Sequence, residues 1–149
     1  MRSFASPTKS HSIWLVAWLA KTDILRAILY STIVLSGPTA AKAVAQNPRH
    51  VTRVFGFTAM ALGGLLVHFG QGPMQIEMHF YFFALLAMLV TFANPMVILA
   101  ATVTVALHHL LVWMVVPRSV FNYDAPAWVV AVHAGFVLLE ATAACFVTV

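Results

Sequence analysis

Charge is what this chain has least of. Only 8% of its 149 residues are Asp, Glu, Lys or Arg, against roughly a quarter in a soluble domain. So few charges cannot make a normal solvated surface, and a helical membrane bundle is the natural alternative. Sulfur chemistry is equally scarce. One cysteine, Cys145, excludes an intramolecular disulfide and a cysteine-rich metal centre; it reads as a small apolar residue of the last helix. The net charge of +4 is spread thinly, with no basic stripe to track phosphates, so nucleic acid is not an expected partner. There is no P-loop, dinucleotide fingerprint, hydrolase elbow or HExxH helix, and no nucleophile beside a base, so enzymatic activity is not expected.

What remains is apolar, 62% of the residues. It concentrates in four predicted spans, 52–69, 76–92, 95–116 and 127–149, of a length that can cross a bilayer. Gly70-Gln71-Gly72-Pro73 ends the first. Asn94-Pro95 is a turn signal, with proline placed for the first turn of the third span. Pro117 ends that span, and the aromatic and polar loop 118–125 reads as a membrane-interface segment. The stretch 13–36 carries Lys21, Asp23 and Arg26 in its middle. It either crosses as a fifth span, with Lys21 and Asp23 near an interface, or lies along the headgroups as an amphipathic helix. The interrupting charges and the lack of a clean small-residue cleavage site argue against a signal peptide. Residues 1–12 read as a loose terminus and 37–50, with Gly37, Pro38, Asn47 and Pro48, as a polar linker. The expected fold is therefore an all-α polytopic membrane bundle: an N-terminal part over 1–50 and a four-helix domain over 52–149.

Every one of the four spans contains histidine: His68, His79, His108 with His109, and His133. Short loops make the spans alternate in direction, so the 70–75 loop and the 117–126 loop lie on the same side. His68 and His79 sit next to the first loop. His109 lies about 12 Å below the end of its helix and His133 about 10 Å below the start of its own, at 1.5 Å per residue. All four spans thus place imidazole at one end, with Glu77 at the rim. Random placement would scatter them between both ends; at the other end only His50 appears, in the expected linker. Lys42, Arg49 and Arg53 flank the start of the first span while Arg118 stands alone on the histidine side, so the positive-inside rule places the histidines toward the periplasm or exterior.

A lone histidine near a helix end is usually a hydrogen-bonding interfacial residue. Four spans contributing at one depth argue instead for a polar site, since ionisable groups in hydrocarbon face partners inside the bundle. Imidazole suits zinc, copper and haem iron and also titrates near neutral pH, so a transition metal, haem, a proton or a small ligand are all open. A metal would call on His68, His79, His109 and His133. His108 and His109 point about 100° apart on a regular helix, so one of them is expected to pack on a neighbour. Glu140 follows His133 on the same face, two turns deeper. An unpaired carboxylate there is expensive, so protonation or a hydrogen bond is expected, with Thr102 and Thr104 at comparable depth as partners. Gly63-Gly64 and Gly135 read as close-packing positions between helices, and Phe80-Tyr81-Phe82-Phe83 as interface packing rather than a cation cage.

Four ordered stretches, Gln75-Ile-Glu-Met-His-Phe-Tyr-Phe-Phe83, Ala106-Leu-His-His-Leu110, Pro117-Arg-Ser-Val-Phe-Asn122, and Val132-His-Ala134 with Val137-Leu-Leu-Glu140, resemble the N-terminal multi-span membrane region of bacterial methyl-accepting chemotaxis proteins. Similar regions precede some diguanylate cyclases and sensor histidine kinases. The resemblance covers 52–149, and Asn94-Pro95 departs from the acidic or aromatic pair often found in that family. It implies a sensory input module of the bacterial inner membrane, working as a homodimer. In the family a cytoplasmic signalling part follows, where this chain stops at Val149. By position, Glu77, His79, His108, His109, His133 and Glu140 would be the sensor residues. The expected function is signal input at the histidine layer, passed through the last helix to an output module. The alternatives are a haem- or metal-binding electron carrier and a purely structural membrane subunit.

Overall fold

Helix starts in this chain are set by a repeated device. Asp23, Asn47 and Asn94 each adopt extended backbone and accept a first-turn N–H with the side chain, from Arg26 at 3.0 Å, Arg49 at 2.9 Å and Met96 at 3.1 Å. Such caps contribute about 1 kcal/mol each. Pro48 and Pro95 follow two of them at the first helical position, where a missing N–H costs nothing. The computed structural model describes residues 8–45 and 47–148. Residues 1–7 of the expected loose terminus, Gln46 of the expected linker and Val149 at the end of the fourth expected span lie outside them.

The described chain is all-α. The helices are α1 (Thr8–Leu19), α2 (Ile24–Val44), α3 (Pro48–Phe69), α4 (Met74–Leu89), α5 (Pro95–Leu107), α6 (Trp113–Val115) and α7 (Ala127–Thr148). A 3₁₀ turn, Val90–Phe92, extends α4, and a π-helical turn, His108–Val112, joins α5 to α6 in one continuous rod. Five stretches are long and apolar enough to cross a membrane: Ile24–Val44, Pro48–Phe69, Met74–Phe92, Pro95–Val115 and Ala127–Thr148. The chain is a multi-pass membrane protein on that ground.

The four expected spans over 52–149 are therefore present, and the fifth is present but displaced. Residues 13–36 are not one helix. The chain breaks at Ala20–Asp23, where Lys21 takes a left-handed φ of 55°, and Asp23 starts α2 afresh. The linker expected over 37–50 is largely absent: α2 continues through Gly37 and buried Pro38 to Val44, and α3 begins at Pro48. Without water to satisfy free backbone groups, a membrane helix keeps its bonds through Gly and Pro that would end a soluble one. From Thr8 the expected loose terminus is also helical. At twelve residues, α1 is about 18 Å long, too short to cross.

Helix α3 is the hub, packed by α1, α2, α4 and α5, while α7 closes the other side against α4 and α5. Its small residues allow the approach. A Cβ on Gly56 would stand 2.6 Å from the Val97 carbonyl of α5, one on Gly63 2.8 Å from the Phe82 ring of α4, and one on Gly64 2.8 Å from the His108 ring. Close packing of this kind replaces the hydrophobic drive that lipid cannot provide. Gly135 has no atom within 4 Å of such a Cβ, so the close-packing role expected for it is not realised; its face of α7 is open. The main core gathers Met60, Val67, Phe82, Leu86, Ile98, Val105 and Val137. A second core, with Ile13, Ala17, Ala27, Leu62 and Leu66, fixes α1 and α2 to α3, helped by Trp14 Nε1 donating to Ser31 Oγ at 3.0 Å.

Thr22 Oγ1 donates to the Phe69 carbonyl at 2.9 Å, which places the α1–α2 turn at the histidine end of the bundle. Lys21 and Arg26 therefore join Arg118 there, opposite Lys42, Arg49 and Arg53. The cation asymmetry expected from the sequence is levelled, because that reading did not place the 20–23 turn.

Candidate functional site

Three imidazoles from three helices meet at that end. His79 of α4, His109 of the π turn and His133 of α7 have ring centroids 5.3 Å (79–109), 5.6 Å (79–133) and 5.6 Å (109–133) apart. Each ring is anchored identically. Its Nδ1 lies 2.8–2.9 Å from the backbone carbonyl four residues earlier, of Gln75, Val105 and Val129 respectively. A carbonyl only accepts, so Nδ1 carries the hydrogen and donates. In a neutral ring Nε2 then holds the lone pair and, lying across the ring, is turned away from its own helix. Nε2 of His79 and of His109 is buried with no hydrogen-bond partner.

The loop after Pro117 roofs this cluster. Phe121, 4% exposed, stacks on His79 at 5.7 Å and meets the His133 ring edge-on at 5.2 Å. Phe82 closes the inner side, 5.3 Å from His109. The loop was expected to lie at the interface; Asn122, Tyr123 and Asp124 do stay at least partly exposed, but Ser119, Val120, Phe121 and Ala125 are buried. Their inward turn is held by Gln75 Nε2 donating to the Arg118 carbonyl at 2.9 Å, Asn122 Nδ2 to Gly72 at 3.2 Å and Trp113 Nε1 to Ala125 at 3.0 Å. A partly open pocket of about 380 Å³ lies beside the cluster, walled by His79, His133, Phe121, Tyr123, Phe83 and Phe136.

Other expected site residues stand elsewhere. His68 lies outside the triad: its Nδ1 is 2.9 Å from Ser119 Oγ and its ring packs on Phe69, so it secures the roof loop to α3. His108 points to α3, over Gly64, with Nδ1 buried and unbonded; the expected division of labour within the adjacent pair is what the helix displays. Glu77 is exposed on the first turn of α4. Glu140 has Oε2 buried without a partner. Thr102 and Thr104 do not meet it, because each hydroxyl donates to a carbonyl of its own helix, Ile98 at 2.8 Å and Ala100 at 2.7 Å. Gln75, Ser119 and Phe121 were not singled out as site residues. The signal for the last was available: Val120-Phe121 is an apolar pair inside an otherwise polar loop.

Chemically, the cluster offers two neutral nitrogen lone pairs with nothing to bond and a third, from His133, in a half-buried ring at the pocket wall. No carboxylate contributes. Among the described residues, no three His, Cys, Asp or Glu side chains form a group that could hold a metal ion; the rings pack on one another. Rings already in edge-to-face contact leave no slot for a porphyrin between them, so the haem expected as one option does not fit between His79 and His109 or His133. Compared with models of known protein families, with curated proteins and with solved structures, the chain matches none.

Proposed function

We propose that this chain is a signal-input module of a chemotaxis-type membrane receptor, non-enzymatic and dimeric, in the bacterial inner membrane. The stimulus is read where His79, His109 and His133 meet and is passed along α7 to an output module. The resemblance of the four motif stretches supports the receptor context. The observation that carries the reading is the convergence itself: α4, α5 and α7 touch through three imidazoles whose Nε2 atoms are free of their own helices. A group entering there bears on the packing of α7 against α4 and α5, and only a ligand that binds two packings unequally shifts their populations.

The test needs no identified stimulus. With the chain fused to a chemoreceptor signalling domain, His79→Phe and His133→Phe should shift basal kinase output, while His50→Phe, exposed at the opposite end, leaves it unchanged. Unaltered basal output in both cluster variants, with normal membrane insertion, refutes the reading and leaves a structural subunit.

A further inference from the structure

We infer that the pocket between α4, α7 and the roof loop binds a neutral aromatic molecule of about two fused rings bearing one hydroxyl, its ring lodged among phenylalanines and its O–H donated to His133 Nε2. The inference deepens the sensory reading by naming the ligand class, and it rests on that reading only for the consequence of binding.

Volume sets the size. An apolar cavity of about 150 Å³ holds benzene, so a pocket of about 380 Å³ admits a bicyclic aromatic. The wall sets the polarity. Among the described residues that line it there is no Asp, Glu, Lys or Arg, so nothing offsets the desolvation of a charged ligand. Phe80, Phe83, Phe121 and Phe136 supply aromatic surface, against which a ligand ring packs offset or edge-on. Phe80 and Phe136 are also exposed on the outside of the bundle. In a bilayer the mouth therefore lies between α4 and α7 on the lipid side, the route a neutral aromatic takes.

One polar atom orients the ligand. His133 Nδ1 donates to the Val129 carbonyl at 2.9 Å, so the neutral ring accepts at Nε2. The corresponding atoms of His79 and His109 are sealed. His133 is half-buried in the pocket wall, its Nε2 is not among the sealed atoms, and no described residue bonds it. The side-chain amides of the wall are committed, Gln75 Nε2 to the Arg118 carbonyl and Asn122 Nδ2 to that of Gly72. His133 thus lacks a donor that the chain does not provide, and a hydroxyl on an apolar body supplies it without charge. An acyl chain fills the volume but leaves the nitrogen unpaired. Because the His133 ring rests on His79 and His109, a ligand held there bears on the contact of α7 with α4 and the π turn.

Titration of the full chain in lipid nanodiscs with 2-naphthol, set against empty nanodiscs, tests this. The expected result is saturable binding at one site per chain, with the His133 Nε2 ¹⁵N signal moving along the titration. 2-Methylnaphthalene, in which methyl replaces the hydroxyl, should bind about tenfold more weakly, the worth of one hydrogen bond; 2-naphthoate should not saturate. His133→Phe should lose the preference for the naphthol, and His50→Phe should keep it. If His133→Phe misfolds, the two ligands and the ¹⁵N signal in the wild type still decide. Equal binding of naphthol and methylnaphthalene, as in a crevice for acyl chains, overturns the proposal, and so does a preference that survives His133→Phe. No saturable naphthol binding, with output of the receptor fusion still altered by His79→Phe, removes the ligand and leaves the sensory reading standing; discriminating binding with unaltered output does the reverse.

Discussion

Three imidazoles held by the same i−4 carbonyl bond are a local device that sequence spacing only half discloses. That each span carries a histidine at one end follows from residue numbers and loop lengths. That His79, His109 and His133 meet while His68 does not depends on helix rotation, which a nearly uniform apolar sequence leaves undefined. In a membrane helix there is no polar face to mark the outside. The roof residue Phe121 makes a further prediction. Its ring contacts all three imidazoles, so Phe121→Ala should destabilise by about 3–5 kcal/mol, read as earlier thermal unfolding in detergent. An unchanged midpoint would mean that the loop does not seat there. Glu140 predicts the opposite sign. With Oε2 buried and unbonded, Glu140→Leu removes a desolvation penalty and should stabilise by about 1–3 kcal/mol; a loss of stability would reveal a partner absent from this chain.

Among elements, α3 shows how much depends on small residues. Gly63-Gly64 was legible as a packing pair, and two neighbouring elements face it, α4 with Phe82 and the π turn after α5 with His108, at distances a methyl group would violate. Gly64→Ala should cost about 1–3 kcal/mol, whereas Gly135→Ala, facing open space, should be neutral or gain up to about 1 kcal/mol from helix propensity. Equal effects of the two substitutions in a thermal-shift assay would contradict the packing described. Where the sequence misled was at α2. Gly37, Pro38 and Asn47-Pro48 look like loop punctuation by the rules of soluble proteins, yet the first two lie within a helix and only the last pair separates α2 from α3. The π turn at His108–Val112 was also invisible in the pattern. Such bulges recur at functional sites, and this one carries His109 into the triad while His108 reaches α3.

For the whole molecule, the arrangement of ends is the strongest consequence of the Thr22–Phe69 hydrogen bond. It puts the 20–23 turn, the 70–73 turn and the 117–126 loop on one side, and the α2–α3 turn and Asn94 on the other. In a Cys145→Ser background, single cysteines at Lys21, Gly72 and Asp124 should react with an impermeant maleimide from the same face, and cysteines at Ala45 and Asn94 from the opposite one. Lys21 and Gly72 labelling from different faces would break the topology. Charge counting could not reach this, because the cations at the span ends balance once the first turn is placed. The account stands on the meeting of three rings, and one measurement addresses it most directly: through-space proton contacts among ¹⁵N-histidine side chains in the full chain, assigned by single His→Gln variants. The structure predicts mutual contacts among His79, His109 and His133, each protonated at Nδ1, and none from that group to His50 or His68. Rings without contact to one another, or protonated at Nε2 instead, would contradict it.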